Sequence, residues 1–205
     1  IENKTYFLKY FQLAEAVSRR WKVLENSMTA DATKIKKSNP KASIFLGVFM
    51  SYLIDKREDF FNFKVKENWN FTIYLYDKNN DLLKCVWRKK ASRHPASTVG
   101  RDWKPGQGHI GVSCCKERAL ISGNRNAKEI KEVIAEPESL SKDYDSSTYV
   151  SFASIPIMHS SSKKPLGIIA VTSDQIDRFN KANCLVLENL SYTLANIIYH
   201  LDLKP

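Results

Sequence analysis

The stretch "GRDWKPGQGHIG", Gly100–Gly111, contains four of the seven glycines in the chain. Glycine-rich loops often cradle phosphate, but the P-loop motif G-x-x-x-x-G-K-[ST] does not fit, because no Lys followed by Ser or Thr comes after the last glycine. Gly106, Gly108 and Gly111 match the spacing G-x-G-x-x-G, yet they follow a basic loop and not a strand of a parallel sheet. The stretch therefore predicts a sharp bend before a helix, where glycine allows positive φ and close backbone approach.

The segment before this bend has the pattern of a β-hairpin. Apolar residues alternate with polar or aromatic ones in "FTIYLY", Phe71–Tyr76, and "DKNND" at 77–81 supplies turn residues. If the return strand alternates without interruption, Leu83, Cys85 and Trp87 lie on one face of the sheet. We therefore expect Trp87 to be a core residue.

The segments after the bend predict one helix, one loop and a second hairpin. "HIGVSCCKERALI" is typical of a short helix that leads into a strand near 119–122, and "NAKEIKEVI" predicts one or two helical turns. The polar segment "AEPESLSKDYDSSTY", 135–149, is expected to be a mobile loop. "YVSFASIPIM" and "PLGIIAVTS" predict two apolar strands, and Pro156 within the first suggests a bulge or a locally unpaired site.

Helices are predicted at both ends of this sheet. The apolar run Ala42–Ile54 is shorter than the roughly 20 residues that span a bilayer, so it predicts a buried helix. Asn180 is placed as the N-cap of a long last helix. The segment Phe7–Met28 and this last helix both carry apolar residues at the alternating three- and four-residue spacing of a heptad seam, which needs a partner helix.

Composition narrows the class of partner. The 205 residues fit one domain with some helical extension, and the net charge of +10 favours an anionic partner. The basic residues are scattered without a nucleic-acid-binding motif, so specific nucleic-acid binding is not expected. Four cysteines without paired spacing indicate a reducing, cytoplasmic environment. Because the chain begins at Ile1, we expect it to be a piece of a longer protein, in which an upstream membrane segment could tether it.

In element order and in four short stretches, the chain resembles a GAF domain, a small-molecule sensor module related to PAS domains. The stretches are "WKPGQGHIG" at 103–111, "SFASIPI" at 151–157, "LGIIAV" at 166–171 and "FNKANCLVLENL" at 179–190. The resemblance covers about residues 41–201. It implies an α+β fold with an antiparallel sheet of five or six strands, terminal helices on one face and a ligand pocket on the other.

The resemblance also implies how the chain works. Residues 1–40 would be an N-terminal signalling helix and loop, and residues 41–205 the sensor domain of a larger signalling protein whose output domain is absent. The ligand would be a small molecule that the sequence does not identify, with a nucleotide as one option. The terminal helices would pair in a homodimer through two sets of seam residues: Tyr10, Ala14, Val17, Trp21 and Leu24, and Leu187, Leu190, Leu194 and Ile197.

The pocket residues are expected from three parts of the chain that line the pocket in the family. A base could stack on an aromatic ring, and a phosphate could meet basic side chains. The predicted ligand-binding residues are Trp103, His109, Arg118, Asn124, Arg125, Lys128, Phe152 and Ser154. Alternation alone leaves open whether Phe152 and Ser154, or their neighbours in the strand, face the pocket.

The residues also bear on other functions that the resemblance implies for this fold. Bilin attachment is disfavoured, since no cysteine precedes a histidine, and haem ligation has His109 as its one credible ligand. A thiol-dependent methionine sulfoxide reductase would need a pair such as Cys85 and Cys115, so a non-enzymatic sensor is preferred. No metal site is expected. A ligand-free dimerisation platform is the remaining alternative.

Overall fold

A computed structural model describes residues 15, 19, 42–97, 100–134 and 137–205, with the side chains of Ile44 and Phe45 excepted. Five strands form one antiparallel sheet in the order β2-β1-β5-β4-β3. They are β1 (Trp69–Asp77), β2 (Leu82–Lys90), β3 (Leu120–Ser122), β4 (Ser151–Ile157) and β5 (Gly167–Ser173). Both predicted hairpins and the predicted short strand are therefore confirmed.

The described residues form six helices beside the sheet: α1 (Ala42–Asp55), α2 (Arg57–Phe61), α3 (Gly108–Lys116), α4 (Lys128–Val133), α5 (Asp145–Thr148) and α6 (Lys181–Leu201). The large core lies between one face of the sheet and α1 and α6, as expected for a buried apolar helix and a terminal helix. Phe71, Ile73 and Leu75 of β1 point into this core. Because side chains alternate along a strand, the other face of β1 carries Asn70, Thr72 and Tyr74.

A bulge in β2 overturns the prediction of a regular return strand. Ile73 pairs with Trp87, and the next residue, Tyr74, pairs with Cys85, so Val86 has no partner on β1. A bulge shifts the side-chain alternation by one residue. Trp87 therefore packs against the helix-side core, as expected, while Leu83 and Cys85 lie in the small cluster on the opposite face.

One further expectation is corrected in the second half of the chain, and one is decided between its two alternatives. The segment after α4 contains a 3-10 turn at Glu138–Leu140 and the short helix α5, and Asp145 is buried there. Pro156 pairs with Ile168 in an unshifted register, so β4 has no bulge at the proline. The β3–β4 ladder ends at Ser154, so among the described residues Pro156 borders only β5, and the alternative of a locally unpaired site is confirmed.

Helix α6 begins where the sequence predicts. The Asn180 side chain accepts a hydrogen bond from the Asn183 backbone N–H, and the Asn183 side chain accepts one from the Asn180 backbone N–H, both at 3.0 Å. This reciprocal pair is a capping box, which satisfies backbone donors that the helix leaves unpaired.

The assignment of the α6 seam to a dimer interface is wrong. Leu187, Leu190, Leu194 and Ile197 are at most 1% exposed and belong to the core between α6 and the sheet of the same chain. Their three-four spacing reflects packing on the sheet, which favours the same apolar stripe as a partner helix. The predicted N-terminal seam lies outside the described residues. Within the described part of the chain, no helix has the length and apolarity to cross a membrane.

Candidate ligand-binding site

A cavity of about 110 Å³ lies on the face of the sheet opposite α1 and α6. Its floor is formed by side chains of β1 and β5, and its wall by the glycine-rich bend and the start of α3. The segment 140–149 borders it from the other side. The cavity is lined by Asn70, Thr72, Tyr74, Arg88, Ala96, Ser97, Arg101, Trp103, His109, Ile110, Arg125, Lys142, Tyr144, Tyr149, Ala170 and Thr172.

The glycine bend holds Trp103 against the cavity. Trp103 and Leu83 exchange backbone hydrogen bonds of 2.7 and 3.1 Å, which tie the bend to β2. Gly106 and Gly108 have φ of +85° and +57°, as predicted for the bend. A Cβ at Gly108 would lie 2.7 Å from the Trp103 ring, so the absence of a side chain lets the start of α3 approach the indole. The glycines therefore build a pocket wall and not a phosphate loop.

The described residues that line the cavity include four basic side chains and no carboxylate. Arg88 enters the site from β2, where it pairs with Thr72. Its guanidinium donates to the Asn70 side chain at 2.7 Å, to the Ser97 carbonyl at 3.0 Å and to the Tyr149 hydroxyl at 3.3 Å. These three bonds fix the Arg88 side chain at the floor of the cavity.

A buried ion pair closes one side of the site. Arg101 donates to both oxygens of Asp145, at 2.5 and 2.9 Å, and to the Leu140 carbonyl at 2.6 Å. Asp145 also accepts from the Lys142 backbone N–H at 3.0 Å. A guanidinium that binds both oxygens of a carboxylate fixes the relative orientation of the two groups in addition to the attraction between their charges. The pair therefore attaches the segment 140–145 to the glycine-bend side of the cavity.

His109 is a neutral ring in a positive environment. Its Nδ1 lies 2.6 Å from the Ser154 hydroxyl, and its ring stacks on Phe152 with centroids 4.4 Å apart. Burial, with further contributions from Arg125 and Arg101, lowers the pKa of His109 to about 3. The imidazole therefore carries no charge at neutral pH.

Thr172 has an unsatisfied polar atom at the cavity floor. The residue is 3% exposed and lines the cavity, and its buried hydroxyl has no hydrogen-bond partner among the residues that the structure describes. The Thr72 hydroxyl on the adjacent strand β1, by contrast, donates to the Ala170 carbonyl at 3.1 Å. Because a buried unpaired hydroxyl costs about 1–3 kcal/mol, such a group in a cavity is suited to a bound partner.

The structure brings five of the eight predicted residues to the site. Trp103, His109 and Arg125 line the cavity, while Phe152 and Ser154 hold His109 from β4. The face of β4 that the sequence left open is thereby assigned: Phe152 and Ser154 face the site, and Ala153 and Ile155 face the helix-side core.

The other three predicted residues do not line the cavity. Arg118 is exposed beyond the left-handed turn that ends α3, and Lys128 is exposed at the first residue of α4. The Asn124 side chain is used locally, where it accepts from the Asn126 backbone N–H at 2.9 Å. These are corrections to the expected pocket, because local turn geometry directs the three side chains elsewhere.

Sequence reasoning missed several residues that line the site. Thr72 and Tyr74 were identifiable as the second face of a regularly alternating strand. Arg88 was identifiable in the same way, because the residue after the core residue Trp87 lies on the opposite face of the strand. Arg101 and Asp145 are 44 residues apart, and no local pattern in the sequence links them.

The cysteines do not form part of this cavity. None of the four is among its described lining residues. Burial raises the pKa of the Cys85 thiol, and it raises that of Cys114 to about 11 and that of Cys184 to about 12. Cys115 is exposed on α3. Among the described residues, no group of three or more His, Cys, Asp and Glu side chains is placed to hold a metal ion.

Comparisons with known proteins match the fold but not the sequence. No family model and no curated protein sequence matches the chain. The GAF domain of an Acinetobacter phosphoenolpyruvate-protein phosphotransferase is 19% identical with a TM-score of 0.57, over 86% of this chain and 95% of that one. The GAF region of a putative membrane protein from Geobacter sulfurreducens PCA is 20% identical with a TM-score of 0.54, over 85% and 99%.

An enzyme shares the same architecture. The free methionine-R-sulfoxide reductase of Neisseria meningitidis, in complex with its substrate, is 15% identical with a TM-score of 0.54, over 82% of this chain and 86% of that one. At these identities the likeness extends to the fold alone. The antiparallel sheet with helices on one face and a cavity on the other, together with these matches, shows that the chain has the fold of a GAF domain.

Proposed function

We propose that this chain is a ligand-binding regulatory domain of a larger signalling protein, which binds a small molecule in the cavity beside Trp103 and His109. The observation that carries the proposal is the cavity itself, walled by aromatic rings and floored by polar side chains. Ligand sites are concave, largely preformed and supplied with a few placed polar groups. The Thr172 hydroxyl at the floor is unpaired among the described residues, which supports the binding of a ligand at this point.

The segment 137–149 supplies a route by which binding could be transmitted. Its attachment rests on the Arg101–Asp145 pair, and both Lys142 and Tyr149 in it line the cavity. A ligand that contacts Arg101 or Lys142 biases the equilibrium between attached and released forms of the segment, to the extent that its affinity for the two forms differs. Asp145→Asn weakens the attachment, so hydrogen exchange in 137–149 is expected to become faster, and ligand is expected to slow it again.

The size of the cavity argues against a nucleotide and against haem. Drug-sized ligands occupy pockets of about 300–1,000 Å³. The cavity here is about 110 Å³, which is well below that range. In addition, Arg118 and Lys128, which were expected to contact the phosphate of a nucleotide, do not line the cavity. A smaller ligand is therefore proposed.

Binding is preferred to catalysis by a thiol. A reductase needs a thiolate at its substrate, and raising a thiol pKa by burial works against that form. The pKa of Cys85 is raised in this way, and neither Cys85 nor Cys115 lines the cavity. The test is reduction of free methionine sulfoxide by the chain with dithiothreitol: a flat time course supports the binding role, while a rate that disappears in Cys85→Ser or Cys115→Ser would establish the reductase.

Homodimerisation is a separate part of the proposal. The outer face of α6 carries Leu185, Tyr192 and Tyr199, which are 52, 64 and 44% exposed and repeat every seven residues. A seven-residue apolar repeat on an exposed helix face is suited to a second helix. Tyr192→Glu is expected to lower the mass measured by light scattering from dimer to monomer, whereas Asn126→Glu, at an exposed position outside α6, serves as the charge-matched control. A monomeric unsubstituted chain would refute the dimer.

The binding role is tested by thermal denaturation of the chain with a panel of small metabolites. Binding to the folded state raises Tm by an amount that grows with the ratio of ligand concentration to Kd. A hit should be lost in Trp103→Ala, which removes the cavity wall, if the variant is folded by circular dichroism. The absence of any hit, with no small molecule retained in native mass spectra, would favour a ligand-free dimerisation platform.

A further inference from the structure

We propose that the ligand of this cavity is a small oxoanion, either a carboxylate of two carbons or a tetrahedral anion such as phosphate. The inference rests on the proposed binding function and adds the chemical class of the ligand. Three observations carry it: the basic lining, the unpaired hydroxyl on the floor and the volume.

The charges that face the cavity are of one sign. Arg88, Arg101, Arg125 and Lys142 line it, and its described lining residues include no Asp or Glu. Asp145 offsets part of this charge where it pairs with Arg101 at the edge of the cavity. A cationic ligand would be repelled at such a site, while an anion gains Coulomb attraction that low-dielectric surroundings strengthen. His109 adds no charge, because its ring is neutral.

The donors are of the kind that oxoanions need. Guanidinium groups present paired N–H donors that match the oxygen spacing of carboxylate and phosphate. The Thr172 hydroxyl is a donor without an acceptor in the described part of the chain, and Thr172 lies on the same floor as Asn70 and Thr72. With the Thr172 hydroxyl turned toward the cavity, an anion oxygen at this floor would accept from it while the anion's charge faces the basic side chains. The observed orphan hydroxyl and the basic lining thus call for the same chemical group.

The volume limits the size of the anion. An engineered cavity of about 150 Å³ accepts benzene, a ligand with six heavy atoms. The present cavity of about 110 Å³ is somewhat smaller. On that scale it holds about four or five heavy atoms, which fits acetate, glycolate, phosphate or sulfate. Longer acids and nucleotides would require the segment 137–149 to move.

The experiment uses the 205-residue chain in a Tris chloride buffer at constant ionic strength. Sodium acetate, glycolate, phosphate and sulfate are titrated separately by isothermal calorimetry, with chloride as the ionic control and acetamide as the neutral control. One class of oxoanion is expected to bind with one-to-one stoichiometry. Preference for acetate and glycolate identifies a carboxylate ligand, and preference for phosphate and sulfate identifies a tetrahedral one.

Two substitutions with matched controls locate the site. Thr172→Val removes a hydroxyl that none of the described residues uses, so folding is retained while Kd rises about tenfold or more. Ser151→Ala is its control, because the Ser151 hydroxyl is also buried and unpaired but does not line the cavity. Lys142→Gln removes an exposed charge and is expected to raise Kd about two- to fivefold, whereas Lys163→Gln, an exposed lysine outside the lining, leaves Kd unchanged.

The outcomes separate this inference from the proposed function. Binding of acetamide without binding of any oxoanion overturns the anion class and retains the cavity as a ligand site. Oxoanion binding that Thr172→Val leaves unchanged overturns the placement at this floor. If no oxoanion binds more tightly than chloride, the inference is refuted, and the metabolite panel then decides the proposed function by itself.

Discussion

Acidification from pH 7 to pH 5 is expected to destabilise this protein through two histidines with desolvated rings. Burial, with Arg88 and Lys90 adding to it, lowers the pKa of His94 from 6.5 to about 4, and the pKa of His109 falls from 6.5 to about 3. Both rings are therefore neutral in the folded state at pH 5 and largely protonated in the unfolded chain. The unfolded state binds more protons in this window, so the free energy of unfolding must fall as the pH falls.

The magnitude follows from the pKa differences. At pH 5 each histidine contributes a loss of about 2 kcal/mol relative to pH 7, so the two together lower the free energy of unfolding by about 4 kcal/mol. The loss begins near pH 6.5 and is complete near pH 4 for His94 and pH 3 for His109. Typical unfolding free energies are only about 5–15 kcal/mol, so the effect is large enough to measure.

Urea denaturation at half-unit steps between pH 7 and pH 5 measures this slope. His94→Asn and His109→Asn each remove one titrating ring while keeping a short polar side chain, so each variant should lose about half of the pH dependence. His200→Asn, at an exposed position of α6, is the control. Equal slopes in the unsubstituted chain and in the His94→Asn, His109→Asn double variant would refute the assignment of neutral desolvated rings.

Two further substitutions test how the fold supports the site. Glu67 is buried and accepts from the Arg178 guanidinium at 2.6 and 2.7 Å and from the Ser173 hydroxyl at 2.5 Å. Glu67→Gln should lower the free energy of unfolding by about 3–5 kcal/mol, because it leaves the largely buried Arg178 without its charge partner. The control Asp59→Asn, at an exposed ion pair, should lower it by less than about 1 kcal/mol. Similar urea midpoints for the two variants would contradict this. Gly108→Ala should lower the free energy of unfolding more than Gly106→Ala does. Both positions have positive φ, which costs an alanine about 1–2 kcal/mol, but only the Cβ at position 108 would also lie 2.7 Å from the Trp103 ring. Thermal midpoints compare the two alanine variants, and an equal decrease would argue against close packing at Gly108.

Local patterns in the sequence determined the order and type of most elements. The alternation in β1, the turn residues after it and the apolar run of α1 all formed the predicted structure. The Asn180 cap did as well, since its hydrogen bonds involve only residues three positions apart. Such features depend on periodicity and on neighbours in the chain, which the sequence shows directly.

The tertiary structure alone decided which side chains meet in the site. The bulge at Val86 placed Leu83 and Cys85 on the face opposite the helix-side core, and the contact between Arg101 and Asp145 joined residues far apart in the chain. The α6 leucines fitted a coiled-coil seam equally well by spacing, and only the sheet beneath them showed that they form the core. An apolar stripe in the sequence shows that one face of a helix is buried, but it does not show which element buries it. The element that packs on α6, the register of the strands and the position of the Thr172 hydroxyl therefore follow only from the packed structure.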